Sequence, residues 1–279
     1  MLRPRALVPL LVVVGVLVLA VVPGAITNGT PDGNNHPYVG LLVFDDALGP
    51  AWLCSGSLIS PTVVLTAAHC TDGAVAARAW FQEDPLTADP AWPFGGGLAT
   101  EGTPHTNPSF HLNSPYGGGN GLPGFTYRDI GVVVLDAPVA VGAFVQLPAA
   151  GLVDTLGNKT GVEFVGYGVT FQAQIPGNQL PQPPPFFRWT GPIRRLYAPS
   201  ELVSGNFVHS PDYMRLALNA SRGSGGLCFG DSGGPDLLAG TRTVLAVNSY
   251  VTNANCTGNG YSARVDVPDV LDWIRGFLD

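Results

Sequence analysis

The chain has 279 residues, of which 46% are apolar and only 12% charged, so it suits one large or two small folded domains and is not a charge-driven disordered chain. Its 37 Gly and 26 Pro interrupt helices and favour many short strands over a helical bundle. The net charge is −7 and no cluster of Lys or Arg could neutralise a phosphate backbone, which excludes nucleic-acid binding.

Residues 1–25 have the pattern of a secretory signal peptide. Arg3 and Arg5 precede an almost wholly apolar stretch, Leu7 to Val22, which ends at Pro23-Gly24-Ala25. An uncleaved membrane anchor is the alternative, although a spanning helix needs roughly 20 residues and this stretch is shorter. We expect cleavage and secretion into the extracellular space.

All four cysteines follow that segment: Cys54, Cys70, Cys228 and Cys256. An even number of cysteines in an exported chain predicts two disulfides, with three possible connectivities. No C-x-x-C pair is present, so we expect no zinc site, and we expect neither a bound metal nor a cofactor.

From Tyr38 onwards, short apolar runs rich in β-branched residues alternate with turns, which is typical of an all-β fold. Residues 94–125 and 170–192 are rich in Gly and Pro and predict two long surface loops. Pro268 and Asp269 suit the first turn of a C-terminal helix. The predicted strands contain Val39–Phe44, Ser57–Ile59, Val63–Thr66, Ile130–Leu135, Val162–Val165 and Val244–Val247.

Ser232 lies in the most distinctive stretch of the chain, Cys228–Pro235. Flanking glycines allow a tight turn that exposes its hydroxyl, which needs a base to become a nucleophile. The alternative is a glycine-rich turn with an incidental serine. Gly230-x-Ser232-x-Gly234 also matches the nucleophile elbow of α/β-hydrolases, but that fold places its histidine after the serine, and no histidine follows His209.

His69 and Asp129 are the candidate partners of Ser232. His69 directly follows an apolar strand and precedes Cys70, whereas the other four histidines lie in polar segments and are expected at the surface. Asp129 stands before a predicted core strand, where a carboxylate could orient the imidazole. Asp136 at the far end of that strand is the weaker candidate. Those other histidines are His36, His105, His111 and His209.

Three pieces of the chain together resemble the chymotrypsin/trypsin family of serine proteases. The resemblance implies an all-β fold of two six-stranded antiparallel β-barrels, with a C-terminal α-helix and an active site between the barrels. It implies one protease domain at 26–279, with the first barrel at about 26–140, the second at about 141–266 and the helix at about 267–279. The three pieces are Leu65–Cys70, Asp129–Leu135 and Gly230–Pro235, with shorter matches at Cys54–Ile59, Gly166–Gly168 and Asp272–Ile274.

The same resemblance implies a role for each residue of a catalytic triad. His69 would be the general base, Asp129 its orienting partner and Ser232 the nucleophile, while the N–H groups of Gly230 and Ser232 would form an oxyanion hole. The implied function is a secreted serine endopeptidase that cleaves proteins or peptides through an acyl-enzyme, without a cofactor. We expect a monomer that does not contact a membrane once the signal is removed.

Two further features follow from the resemblance. It pairs Cys54 with Cys70 and Cys228 with Cys256. It also implies that a freed amine of Ile26 activates the enzyme by binding Asp231. No Lys or Arg lies between Arg5 and Arg78, so we expect signal cleavage itself, after Ala25, to free that amine.

The resemblance places the primary substrate pocket at Gly226, Ser249, Val251 and Gly260. No carboxylate lies at its base, so binding a Lys or Arg side chain would bury an unpaired cation. We therefore expect cleavage after apolar or small residues. Two alternatives stay open: a protease tethered to the membrane by residues 7–22, and a catalytically silent binding protein on the same fold.

Overall fold

The structure is a computed structural model that describes residue 26 and residues 29–112, 126–168, 193–203, 208–219, 224–252 and 256–278. The predicted signal segment, residues 113–125 of the first predicted loop and the whole of the second, residues 170–192, lie outside the described residues. Within the described ranges, no helix combines the length and the apolar character that crossing a membrane requires.

Short antiparallel strands dominate these ranges, as the composition predicted. Three short α-helices accompany them: α1 (Ala68–Thr71), α2 (Pro85–Ala88) and α3 (Pro268–Arg275). The strands are β1 (Thr30–Pro31), β2 (Val39–Asp46), β3 (Gly49–Ser60), β4 (Val63–Thr66), β5 (Ala76–Trp80), β6 (Thr100–Thr106), β7 (His111–Leu112), β8 (Thr126–Tyr127), β9 (Gly131–Leu135), β10 (Gly161–Gly166), β11 (Leu196–Glu201), β12 (Tyr213–Leu218), β13 (Pro235–Leu238), β14 (Val244–Val251) and β15 (Gly258–Arg264).

Six strands close into the first barrel in the order β2-β3-β4-β9-β6-β5. The apolar runs predicted in β2, β4 and β9 supply its interior, and their aliphatic side chains leave almost no surface in water. Closure pairs every strand on both sides, so the barrel has no free edge.

The predicted loop at residues 94–125 is wrong in its first half, because β6 lies there and joins β5 to β9. Gly102 and Pro104 concealed this strand, since both residues usually interrupt strands. Gly102 is required by close packing: a Cβ there would lie 2.6 Å from the carbonyl oxygen of Val134. Pro104 lies beyond the last residue of β6 that pairs with β5.

The second unit is a seven-stranded sheet in the order β1-β11-β10-β13-β14-β15-β12. A bridge between Leu202 and Leu216 links β12 to the end of β11, so the six strands β10 to β15 curve into a half-barrel. The seventh strand, β1, adds the N-terminal segment to β11, with Thr30 opposite Tyr197. The all-β chymotrypsin-like fold is thus confirmed, with one closed barrel and one half-barrel instead of two closed ones.

The predicted C-terminal helix is also confirmed. Pro268 opens α3 and Asp269 lies in its first turn, while Val270, Leu271 and Ile274 pack into the core. This burial of one apolar face, more than helix propensity, stabilises such a short helix.

A buried arginine connects the N-terminal segment to both barrels. Arg195 is fully buried and donates to Asp32 Oδ2 at 2.8 Å, to the Val39 carbonyl at 2.9 Å and to Tyr167 Oη at 3.1 Å. His36 Nδ1 lies 2.5 Å from Asp32 Oδ1, so the expected surface position of this histidine is wrong. The carboxylate four residues earlier draws its ring into the network.

Candidate active site

His69 lies just after the buried strand β4, which ends at Thr66. Helix α1, which carries the imidazole, is tied to β3 by a disulfide between Cys54 and Cys70, the pair that the resemblance implied. Strand and disulfide together hold the backbone of His69 in place, with 27% of its side chain exposed.

Asp129 binds one edge of that imidazole. Its carboxylate is fully buried, with Oδ2 at 2.8 Å from His69 Nδ1 and Oδ1 accepting the backbone N–H of His69 at 2.8 Å. Ser249 Oγ donates to Oδ2 at 2.5 Å. A carboxylate at Nδ1 places the ring proton there and leaves Nε2 able to accept one.

Burial and the ion pair shift the pKa values of His69 and Asp129 in opposite directions. Burial lowers the pKa of His69, but the charge of Asp129 and its hydrogen bond outweigh this and raise that pKa above 6.5. Burial raises the pKa of Asp129, but His69 and Ser249 outweigh it and hold that pKa below 3.8. Asp129 is therefore ionised at neutral pH and stabilises a positive charge on His69.

Ser232 lies against the connection that leads to His69. A Cβ on the following residue, Gly233, would lie 2.0 Å from Thr66 Oγ1 and 2.7 Å from the backbone nitrogen of Ala67, so only glycine permits this approach. The fold thus brings together segments that are more than 160 residues apart in the chain.

The side chains of His69 and Ser232 are both partly exposed. Among the described residues, no hydrogen bond joins His69 Nε2 to Ser232 Oγ. Hydrogen bonds of this kind are often long in a site without substrate and shorten when substrate binds.

Ser232 and Gly230 each carry a backbone N–H group that has no acceptor among the described residues. The N–H of Asp231, which lies between these two residues, donates to the Cys228 carbonyl at 3.1 Å. The N–H of the next residue, Gly233, donates to the Asn248 carbonyl at 2.8 Å. Free donors on both sides of an engaged one suit the binding of a single negatively charged oxygen.

Asp231 is a buried carboxylate held by neutral donors. The N–H groups of Gly168 and Cys228 donate to it at 2.8 and 2.9 Å. A Cβ on Gly168 would lie 2.4 Å from Asp231 Oδ2, so glycine is required for the close approach. Burial raises the pKa of Asp231 to about 7, because the two N–H groups offset only part of the lost solvation.

The N-terminal segment packs against β11, and the neighbouring strand β10 is the one that touches Asp231. Ile26 is fully buried, and a Cβ on Gly29 would lie 3.1 Å from Leu196 Cβ. Leu196 is paired with Gly166, where a Cβ would lie 2.3 Å from Asp231 Oδ1. Ile26 therefore enters the core beside the strands that pack against Asp231.

The predicted pocket residues lie on neighbouring segments. Val251 and Gly260 face each other on β14 and β15, and Gly226 is buried. A Cβ on Gly260 would lie 2.8 Å from Leu227 Cδ2, so the buried side chain of Leu227 packs directly against this glycine. Ser249 has a contact that was not anticipated, because its hydroxyl binds the carboxylate of Asp129.

The second disulfide joins Cys228 to Cys256, again the pair that the resemblance implied. The ring of His69 lies within 4.8 Å of the sulfurs of Cys54 and Cys70. Both sulfurs are bonded to each other, so this cluster offers an imidazole but no thiolate to a metal.

Comparison with known proteins identifies the family. A sequence profile of the family described as Trypsin matches residues 26–182, more than half of the chain. The chain belongs to the trypsin family. The predicted enzyme class, a serine endopeptidase that acts on proteins or peptides, is confirmed at this level.

Individual proteins similar to this chain support the same family assignment. Brachyurin from Leptuca pugilator is 28% identical over 248 residues, which cover 87% of this chain and 93% of that protein. Serine protease 1 from Drosophila melanogaster is 28% identical over 269 residues, or 91% of this chain and 86% of that protein. The solved structure of HL collagenase superposes with a TM-score of 0.61 at 17% identity over 86% of this chain and 93% of that one, which shows a shared fold.

Proposed function

We propose that this protein cleaves peptide bonds through His69, Asp129 and Ser232. His69 Nε2 takes the proton from Ser232 Oγ as the oxygen attacks the substrate carbonyl. The N–H groups of Gly230 and Ser232 bind the oxyanion that forms. His69 then protonates the leaving amine, and water hydrolyses the acyl-enzyme by the same steps in reverse order.

One observation carries this proposal: a buried carboxylate holds the imidazole at Nδ1, beside a segment in which the N–H groups of Gly230 and Ser232 have no acceptor within the described ranges. The Nε2 edge is then the basic one, and the unengaged donors flank the residue that precedes the nucleophile. A binding protein on the same fold would have no use for this combination.

Labelling with a fluorophosphonate tests the nucleophile. The protein should be labelled on one serine, and Ser232→Ala should abolish labelling and lower kcat by about a million-fold, as removal of a triad nucleophile does. Ser109→Ala, at an exposed serine, is the matched control and should behave like the parent. Undiminished labelling of Ser232→Ala would refute the assignment.

We further propose that residues 1–25 are removed and that the new amine of Ile26 activates the enzyme. The support is electrostatic: Asp231 is buried, its donors within the described ranges are neutral backbone N–H groups, and a cation would compensate its charge. N-terminal sequencing of the secreted, active protein should begin at Ile26. An active form that begins elsewhere, or that is retained in membranes, would contradict this.

We also propose a preference for apolar or small residues before the cleaved bond. The residues next to Gly260 are apolar, because Leu227 packs against it and Val251 is its partner across the paired strands. A peptide-library profile should show cleavage after residues such as Ala or Leu. Strong cleavage after Arg alone would overturn this proposal while leaving the triad intact. We expect the enzyme to act as a monomer, which sedimentation would test.

A further inference from the structure

Ser55 is a buried serine of the first barrel that touches the loop of the second barrel carrying Ser232. It lies on β3 next to the disulfide cysteine Cys54 and is fully buried. Its backbone N–H donates to the Ser232 carbonyl at 2.8 Å. Its hydroxyl donates to the Gly230 carbonyl at 2.9 Å. Ser55 thus binds the carbonyl of both Gly230 and Ser232, the two residues whose N–H groups have no acceptor in the part of the chain that the structure describes.

The same hydroxyl accepts a third hydrogen bond, from the backbone N–H of Tyr167 at 2.9 Å. Tyr167 directly precedes Gly168, whose N–H binds Asp231. A hydroxyl has one hydrogen and two lone pairs, so it can join a carbonyl and an N–H that could not bind each other directly. Ser55 Oγ therefore links the Gly230 loop to the segment that holds Asp231.

We infer that the Ser55 hydroxyl is a positioning residue for the oxyanion hole. This rests on the proposed function of Gly230 and Ser232. A donor stabilises the oxyanion only if it already points at the place where charge develops. By binding the Gly230 carbonyl, Ser55 fixes the peptide unit that follows Gly230 and so restricts rotation within this residue, which carries one of the two oxyanion-hole N–H groups.

Removal of the hydroxyl takes a partner from two backbone groups, one buried and one partly exposed. In Ser55→Ala, the Gly230 carbonyl and the Tyr167 N–H both lose their hydrogen bond to this side chain. A backbone group that loses its hydrogen bond is stabilised by forming another one, and this rearrangement would displace the loop that carries Gly230 and Ser232. Substrate binding depends little on these N–H groups, so the loss should fall on kcat and not on KM.

The chain supplies a matched control two residues along the same strand. Ser57 is also fully buried, but its hydroxyl has no hydrogen-bond partner in the described part of the chain. Ser57→Ala therefore removes the same atom from the same strand without touching the loop. It should keep the parent kcat.

The experiment measures kcat, KM and the inhibition constant of a peptide aldehyde, which forms a tetrahedral adduct with the nucleophile. Fluorophosphonate titration corrects each preparation for its active fraction. We expect Ser55→Ala to lower kcat about tenfold and to weaken the aldehyde by a similar factor, with KM within about twofold of the parent. Ser55→Gly, which also lacks the hydroxyl, should show the same pattern and serves if the alanine variant folds poorly.

The inference is overturned if Ser55→Ala keeps the parent kcat and aldehyde affinity, or if KM alone rises. It is also overturned if Ser57→Ala loses as much kcat, because the effect would then be general to this strand. A parent protein that neither hydrolyses peptides nor reacts with the fluorophosphonate would instead refute the proposed function itself.

Discussion

Asp236 gives a sharp test of the electrostatics of the second barrel. It lies on β13 between β10 and β14 and is fully buried, and neither carboxylate oxygen has a hydrogen-bond partner in the described part of the chain. Burial raises its pKa well above 3.8, and the nearby hydroxyl of Ser262 offsets this only in part. An amide has nearly the same shape and no charge, so Asp236→Asn isolates the charge.

The direction and size of the effect follow from proton linkage. Because burial raises the pKa of Asp236 in the folded state, the folded protein holds a proton here that the unfolded chain has released above pH 3.8. The stability contributed by this group is complete below that value and falls as the pH rises towards its folded pKa. The loss is about 1.4 kcal/mol per pH unit, until the folded carboxyl itself titrates. Asp236→Asn has no carboxyl group at this position, so its stability does not decrease for this reason.

Urea unfolding measures this difference, with Ser232→Ala as background to prevent self-digestion. Between about pH 5 and pH 6, the stability advantage of Asp236→Asn over the parent should grow by about 1.4 kcal/mol. Asp136→Asn, at an exposed carboxylate, is the control and should show no such growth. Parallel pH curves for Asp236→Asn and its parent would refute this account of the buried charge.

Three other outcomes are expected. The pH profile of kcat/KM should rise through a pKa above 6.5, because Asp129 raises the pKa of His69, and a profile already flat from pH 5 would contradict the assignment of His69 as the base. Asp129→Asn should lower kcat by about 10⁴-fold. Arg195→Met should cost about 3–5 kcal/mol in urea unfolding, because the buried carboxylate of Asp32 loses its guanidinium partner and keeps only His36, whereas the double variant Arg195→Met/Asp32→Leu should recover part of that loss. Replacing the Cys54–Cys70 disulfide by two alanines should cost about 3 kcal/mol in the same assay, and an unchanged urea midpoint would show that this link does not stabilise the fold.

Local sequence patterns predicted many of the secondary-structure elements of this protein. Alternation of short β-branched runs with turns predicted the strands at β2, β4, β9 and β10, and Pro268 with Asp269 predicted where α3 begins. These features depend on neighbours along the chain, so they can be read from it. Strand β6 could not, because its Gly102 is required by contact with the distant Val134.

For the candidate site too, some features could be predicted from the sequence and others only from the tertiary structure. The residue types of His69, Asp129 and Ser232, their order along the chain and their flanking motifs pointed from the sequence alone to nucleophilic catalysis, and the family match agrees. Only the tertiary structure revealed that Ser249 binds the carboxylate of Asp129, and that Ser55 reaches Gly230 from 175 residues away. Such contacts depend on the register of paired strands and on how two barrels meet, and neither is encoded in a local stretch of sequence.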